Sequence, residues 1–95
     1  MKRTPLTGED LARAVVALPG WSIANGKLHR EFRFPDFVRA FAFMSAVALV
    51  AEARNHHPEW FNVYNRVVVD LTTHDAGGIT QNDLDLAQKM NELAD

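Results

Sequence analysis

Imidazole is the side chain best suited to moving protons near neutral pH, because its ordinary pKa of about 6.5 lets it give or take one there. The chain carries 4 histidines in 95 residues, and three of them fall where elements should end. His56 and His57 directly precede Pro58, and His74 directly precedes Asp75-Ala76-Gly77-Gly78. Element ends and loops on a rigid scaffold are where functional side chains concentrate. If His56, His57 and His74 converge, they can supply an acid at one atom and a base at another. Three imidazoles could instead hold zinc with one position open. Against that, His56 and His57 are adjacent, so their side chains diverge, and no His-Glu-x-x-His is present. The plainer readings are a cationic pair at the negative end of a helix for His56-His57, and a polar strand end for His74. His29 lies in an alternating stretch and reads as solvent-exposed, without a role.

Two acids and one aromatic could support such a site. Glu52 stands four residues before His56, on the same helical face, and could orient it. Asp83 falls at the third position after Thr80 and reads first as a helix-capping carboxylate. Trp60 could stack on a flat ring, although an aromatic in a strand is more often core.

Other chemistries are excluded by composition or pattern. With 0 cysteines there is no disulfide, thiol nucleophile or cysteine zinc site. Gly77-Gly78 fits neither Gly-rich phosphate-binding pattern. The net charge of -2, with basic residues scattered, argues against direct nucleic-acid binding. Hydrophobic residues make up 47% and charged residues 23%, values that exclude a disordered chain. Met1-Lys2-Arg3-Thr4-Pro5 has no apolar run behind it and does not read as a signal peptide. The apolar-rich stretch from Phe37 to Ala51 contains Arg39 and falls short of the roughly 20 residues a membrane span needs. A soluble, cytoplasmic protein is expected.

The elements that must position these residues are legible as periodicities. Thr7 and Asp10 suggest a capped first helix, with Leu11, Val15 and Leu18 as its apolar stripe and Pro19-Gly20 as its stop. Asn25-Gly26 predicts a tight hairpin between Trp21-Ser22-Ile23 and the strand from Leu28 to Phe34. In that strand Leu28, Arg30, Phe32 and Phe34 share one face, and Lys27, His29, Glu31 and Arg33 share a solvated one. A second helix from Pro35-Asp36 to about Arg54 is apolar nearly all round. One stripe holds Phe37, Phe41, Met44 and Ala48, and another holds Phe43, Val47 and Val50. One stripe can cover the sheet, and the other should meet a second copy of the chain. A second strand pair follows at Trp60–Tyr64 and Val67–Thr73, turning at Asn65-Arg66. A last helix is capped by Thr80, with Leu86, Met90 and Leu93 inward. The expectation is one α+β domain over residues 1–95, a four-stranded antiparallel sheet with three helices on one face in the order α-β-β-α-β-β-α.

The block from Glu52 to Asn65, with His56-His57-Pro58-Glu59-Trp60-Phe61-Asn62 at its centre, resembles the signature of the pterin-4a-carbinolamine dehydratases. So do Thr72-Thr73-His74-Asp75, the Gly-Gly-Ile-Thr-x-x-Asp83 that follows, and Phe41-x-Phe43-Met44-Ser45-x-Val47-Ala48 upstream. The likeness covers about residues 21–90. It implies dehydration of 4a-hydroxytetrahydropterin, the carbinolamine left by aromatic amino acid hydroxylases, to quinonoid dihydropterin in tetrahydropterin recycling. By the resemblance, His56 and His74 form the acid/base pair, and His57 positions substrate with a share in proton transfer. Pro58, Thr73, Asp75 and Ala76 match segments lining the pterin site, and Glu52 and Asp83 match supporting acids. No metal and no cofactor is implied, the pterin being the substrate. Animal members often carry cysteine where this chain has Ala76, which leaves the histidines untouched. Family members form homodimers or homotetramers, here expected through the 36–54 helix. Some relatives act instead as dimerisation cofactors of a transcription factor or in protein assembly, so a non-catalytic binding protein is the alternative. The three-histidine set, complete here, favours the enzyme.

Overall fold

The computed structural model describes residues 4–95. The expectation drawn from Met1, Lys2 and Arg3 lies outside the described residues. The elements run α1 (Gly8–Val16), β1 (Ser22–Ala24), β2 (Lys27–Arg33), α2 (Phe37–Arg54), β3 (Glu59–Val63), β4 (Arg66–Leu71), a 3-10 turn (His74–Ala76) and α3 (Gln81–Ala94). The strands form one antiparallel sheet in the spatial order β1-β2-β4-β3. This is the α+β arrangement the sequence predicts.

Asn25 and Gly26 both take positive φ, 53° and 76°, and close the β1–β2 hairpin as the dipeptide predicts. The β3–β4 turn is shifted from Asn65-Arg66 to Tyr64-Asn65. Tyr64 takes the positive φ of 51°, an uncommon conformation for a bulky residue. Side chains hold it there. The Asn62 amide donates to the carbonyls of Tyr64 (3.1 Å) and Arg66 (2.8 Å), and the Asn65 amide donates to the Phe34 carbonyl at 2.9 Å.

Leu28 and Phe32 of β2 and Val67, Val69 and Leu71 of β4 point to the inner face and are fully or almost fully buried. Ala40, Phe43 and Val47 of α2 and Leu86, Ala87 and Met90 of α3 close over them, with Leu11, Ala14 and Val15 of α1 packed at the margin. Arg30 shares this face yet keeps its charge satisfied. Its guanidinium lies 4.1 Å from the Phe32 ring centroid and donates to the Pro19 carbonyl and Asn91 Oδ1. Gly20 beside it sits at φ 87°, a conformation that L side chains rarely adopt.

Local expectations at α1 and at His29 are corrected, and the structure decides which face of α2 covers the sheet. Thr7 makes no side-chain cap bond, and Gly8 enters α1 at φ 57°. The helix also ends at Val16, ahead of Pro19. On α2, begun by Asp36 accepting from the Arg39 amide at 2.8 Å, the Phe43–Val47 stripe covers the sheet. The stripe left in solvent is the other one, with Phe37 and Phe41 joined by Val38 and Leu49. His29 is half-buried rather than free, paired through Nδ1 with Asp70 at 2.9 Å across β2 and β4. No helix among the described residues is long and apolar enough to cross a membrane.

Candidate active site

Two chain reversals build the site. Asn55 ends α2 in the left-handed region at φ 51°, where Asn is tolerated, and its amide caps the helix on the Ala51 and Glu52 carbonyls. The chain then leaves the helix axis at once, so successive side chains meet different surroundings. His56 turns inward and is buried, and His57 stays exposed. The second reversal follows β4. The Thr73 carbonyl accepts from the amides of Ala76 and Gly77, and Gly77 at φ 73° closes the turn that carries His74.

These reversals bring the three histidines around one cavity of about 250 Å³ lined by Asn55, His56, His57, Thr72, Thr73, His74 and Asp75. A second, wider groove of about 570 Å³ runs between the C-terminal end of α2 and α3, and His56 also borders it. Of the two, only the smaller cavity is lined by all three imidazoles.

Each histidine engages a carboxylate through Nε2. His56 meets Asp83 Oδ1 at 2.5 Å. Asp83 is fully buried, and its Oδ2 accepts from the Thr73 hydroxyl (2.8 Å) and the Thr80 amide (2.9 Å). Since Thr73 spends its one proton on Asp83, Thr80 donates to Thr73 Oγ1 at 2.7 Å. Asp83 is therefore both the capping-box residue of α3 and the partner of His56. As a carboxylate it offers only acceptors, so His56 donates to it through Nε2–H. Glu52 was expected beside His56. It meets His57 instead, at 2.9 Å, because His56 has turned into the core. His74 Nε2 lies 3.1 Å from Glu59 Oε2, and the other oxygen of Glu59 meets Lys27 Nζ at 2.5 Å. The Lys27 ammonium, with smaller help from His74, holds the Glu59 carboxyl below its ordinary range. Glu59 in turn raises Lys27.

Of the residues singled out from sequence, His56, His57, Thr73, His74 and Asp75 line the cavity, and Asp83 and Glu52 stand behind two of the histidines. Pro58 and Ala76 are half-buried at its flanks in sequence and are not part of its lining. Trp60 pairs with Val69 across the sheet and packs against the core. Asn55, Thr72 and Glu59 were missed. Asn directly after the last periodic residue of a helix is an αL signal. Thr72 and Glu59 were legible only through strand alternation, which sets Thr72 in phase with His74 and Glu59 opposite Asp70. Among the described residues no group of three or more His, Asp or Glu side chains is placed to hold a metal ion.

An antiparallel sheet covered by helices on one face, with a histidine–carboxylate cavity at its end, defines a small α+β protein with one histidine-rich site. The chain belongs to the pterin 4 alpha carbinolamine dehydratase family, which it matches over residues 4–93. It is 57% identical over 91 residues to a protein of Solibacter usitatus provisionally named pterin-4-alpha-carbinolamine dehydratase, covering 96% of each chain. It is 53% identical over 93 residues to a protein of the same name from Prochlorococcus marinus, covering 98% of this chain and 97% of the other. The crystal structure of a transcriptional coactivator/pterin dehydratase from Brucella melitensis matches it with a TM-score of 0.94 and 47% identity, over 97% of this chain and all of that one.

Proposed function

We propose that the protein dehydrates 4a-hydroxytetrahydropterin to quinonoid dihydropterin by histidine acid/base catalysis, without a metal ion or separate cofactor. The observation that carries this is the convergence of His56, His57 and His74 on one cavity. The reaction moves two protons. The C4a hydroxyl leaves as water once it is protonated, and N5 gives up its proton as the C4a=N5 bond forms. Two imidazoles supply both transfers, each worth about 10²–10⁴-fold. His56 and His74 are the pair, and His57 positions the ring and shares in proton transfer. In every pair Nε2 is held by a carboxylate, so Nδ1 is the atom left to exchange a proton. A cavity of about 250 Å³ lies below the roughly 300–1,000 Å³ of drug-sized sites and suits a small flat heterocycle. Asp75 and Asn55 line it with polar groups for the ring edges. The setting we infer is cytoplasmic tetrahydropterin recycling, supplied by an aromatic amino acid hydroxylase.

His74→Ala tests this, since His74 is exposed and its loss leaves the core intact. Turnover should fall by about 10²-fold or more with unchanged circular dichroism. A wild-type rate would defeat the assignment.

A second reading, assembly with another protein, is favoured by the exposed apolar residues of α2. Phe37, Val38, Phe41 and Leu49 are all exposed along it. Exposed apolar patches of this kind mark interaction surfaces. We infer a homodimer or homotetramer through this helix, a role compatible with catalysis.

A further inference from the structure

We propose that Glu59, braced by Lys27, is the positioning residue for His74, an inference that rests on the dehydratase reading above. The three histidine–carboxylate pairs are not equivalent. Asp83 is locked by buried hydroxyl and amide donors, which fixes His56 without further help. The Glu52–His57 pair is formed by two exposed side chains and has no third member among the described residues. His74 is also exposed, at 75%, and projects from a short turn. An exposed imidazole on a turn has several rotamers open to it, so something must hold it. Glu59 does so from the neighbouring strand β3, with one oxygen on His74 Nε2 and the other on Lys27 of β2.

The brace spans the sheet. Lys27 starts β2 and Glu59 starts β3, with β4 between them, and Asp70 of β4 opposes Glu59 in register. The ammonium also keeps Glu59 ionised below the ordinary carboxylate value of 4.5, so the anion facing His74 persists throughout the neutral range. An anion fixed at Nε2 selects the tautomer with Nε2 protonated and leaves Nδ1 bare. Other charged or titratable groups near His74 are Asp75 beside it in the turn, His56 and His57 around the cavity, and Asp70, which acts on Lys27 from β4.

The experiment compares wild type with Glu59→Gln, Lys27→Met, His74→Ala and the Glu59→Gln/His74→Ala double variant. Glu59→Gln should lower kcat about tenfold with little change in KM, and move the pH–rate profile toward lower pH. Lys27→Met should lower kcat less. In the His74→Ala background Glu59→Gln should have no further effect, because Glu59 acts through His74. The ring ¹⁵N resonances of His74, read without substrate, should change in Glu59→Gln while those of His56 and His57 stay in place. An equal rate loss in both backgrounds, an unmoved pH profile, or an unchanged His74 spectrum would overturn the proposal. If wild type itself fails to accelerate dehydration, the dehydratase reading fails. The His74 spectrum then still decides whether Glu59 positions the ring.

Discussion

Asp83 carries more of the structure than either other site carboxylate, because it serves three partners at zero exposure. It caps α3, accepts from Thr73 and Thr80, and holds His56. Asp83→Asn keeps the shape but turns one acceptor into a donor, so its amide NH2 must face either the His56 Nε2–H or the Thr73 and Thr80 donors. The cost should be about 2 kcal/mol, seen as a fall in the thermal midpoint of roughly 10 °C for a chain of this size. An unchanged midpoint would mean the network is not as described. Glu52, exposed and paired among the described residues only with His57, should be replaceable without that loss. The Lys27–Glu59 pair has its own pH window. Glu59 titrates below its ordinary value, so its contribution is present above 4.5 and is lost as pH falls through the lowered value. Lys27 titrates above its ordinary value, so its contribution is present below 10.5 and is lost as pH rises through the raised value. The pair is intact across the neutral range. At this scale the histidines were legible because imidazole chemistry and position at element ends coincide. Glu59 was not, because its partners lie 32 and 15 residues away in sequence and meet it only through strand pairing.

Helix α2 is where the periodicity was least decisive. Two apolar stripes were visible, but nothing in their composition tells which faces the sheet. The choice is made by shape. Phe43 fits between Phe32 and Phe34, with ring centroids 4.7 and 5.0 Å away, while Phe37 and Phe41 contact each other in solvent. The two stripes therefore answer differently to mutation. Phe43→Ala should cost about 3–5 kcal/mol as a core cavity. Phe41→Asp should leave the monomer folded and lower the oligomer mass in light scattering. A Phe41→Asp protein of unchanged mass would remove α2 as the interface. The turns follow the same logic. Asn25-Gly26 was readable because both residues favour positive φ. Tyr64 was not, since a bulky residue is held at positive φ only by Asn62 and its own tertiary surroundings.

The whole molecule divides its surfaces. The inner face of the sheet is spent on the core, the outer face on ion pairs such as His29–Asp70 and Lys27–Glu59, and one end on the histidine cavity. The order of elements could be read from the sequence because each periodicity is bounded by a strong turn or cap signal. The convergence of the α2 exit with the β4 exit could not, since it depends on the strand order β1-β2-β4-β3, which sets β4 in the middle of the sheet. That convergence underlies the claim of metal-free dehydration. The direct measurement is the rate at which freshly generated 4a-hydroxytetrahydropterin loses water, followed by ultraviolet absorbance against the spontaneous rate, with and without a chelator. The expected result is acceleration that the chelator leaves unchanged. A rate no faster than background, or acceleration abolished by the chelator, would contradict it.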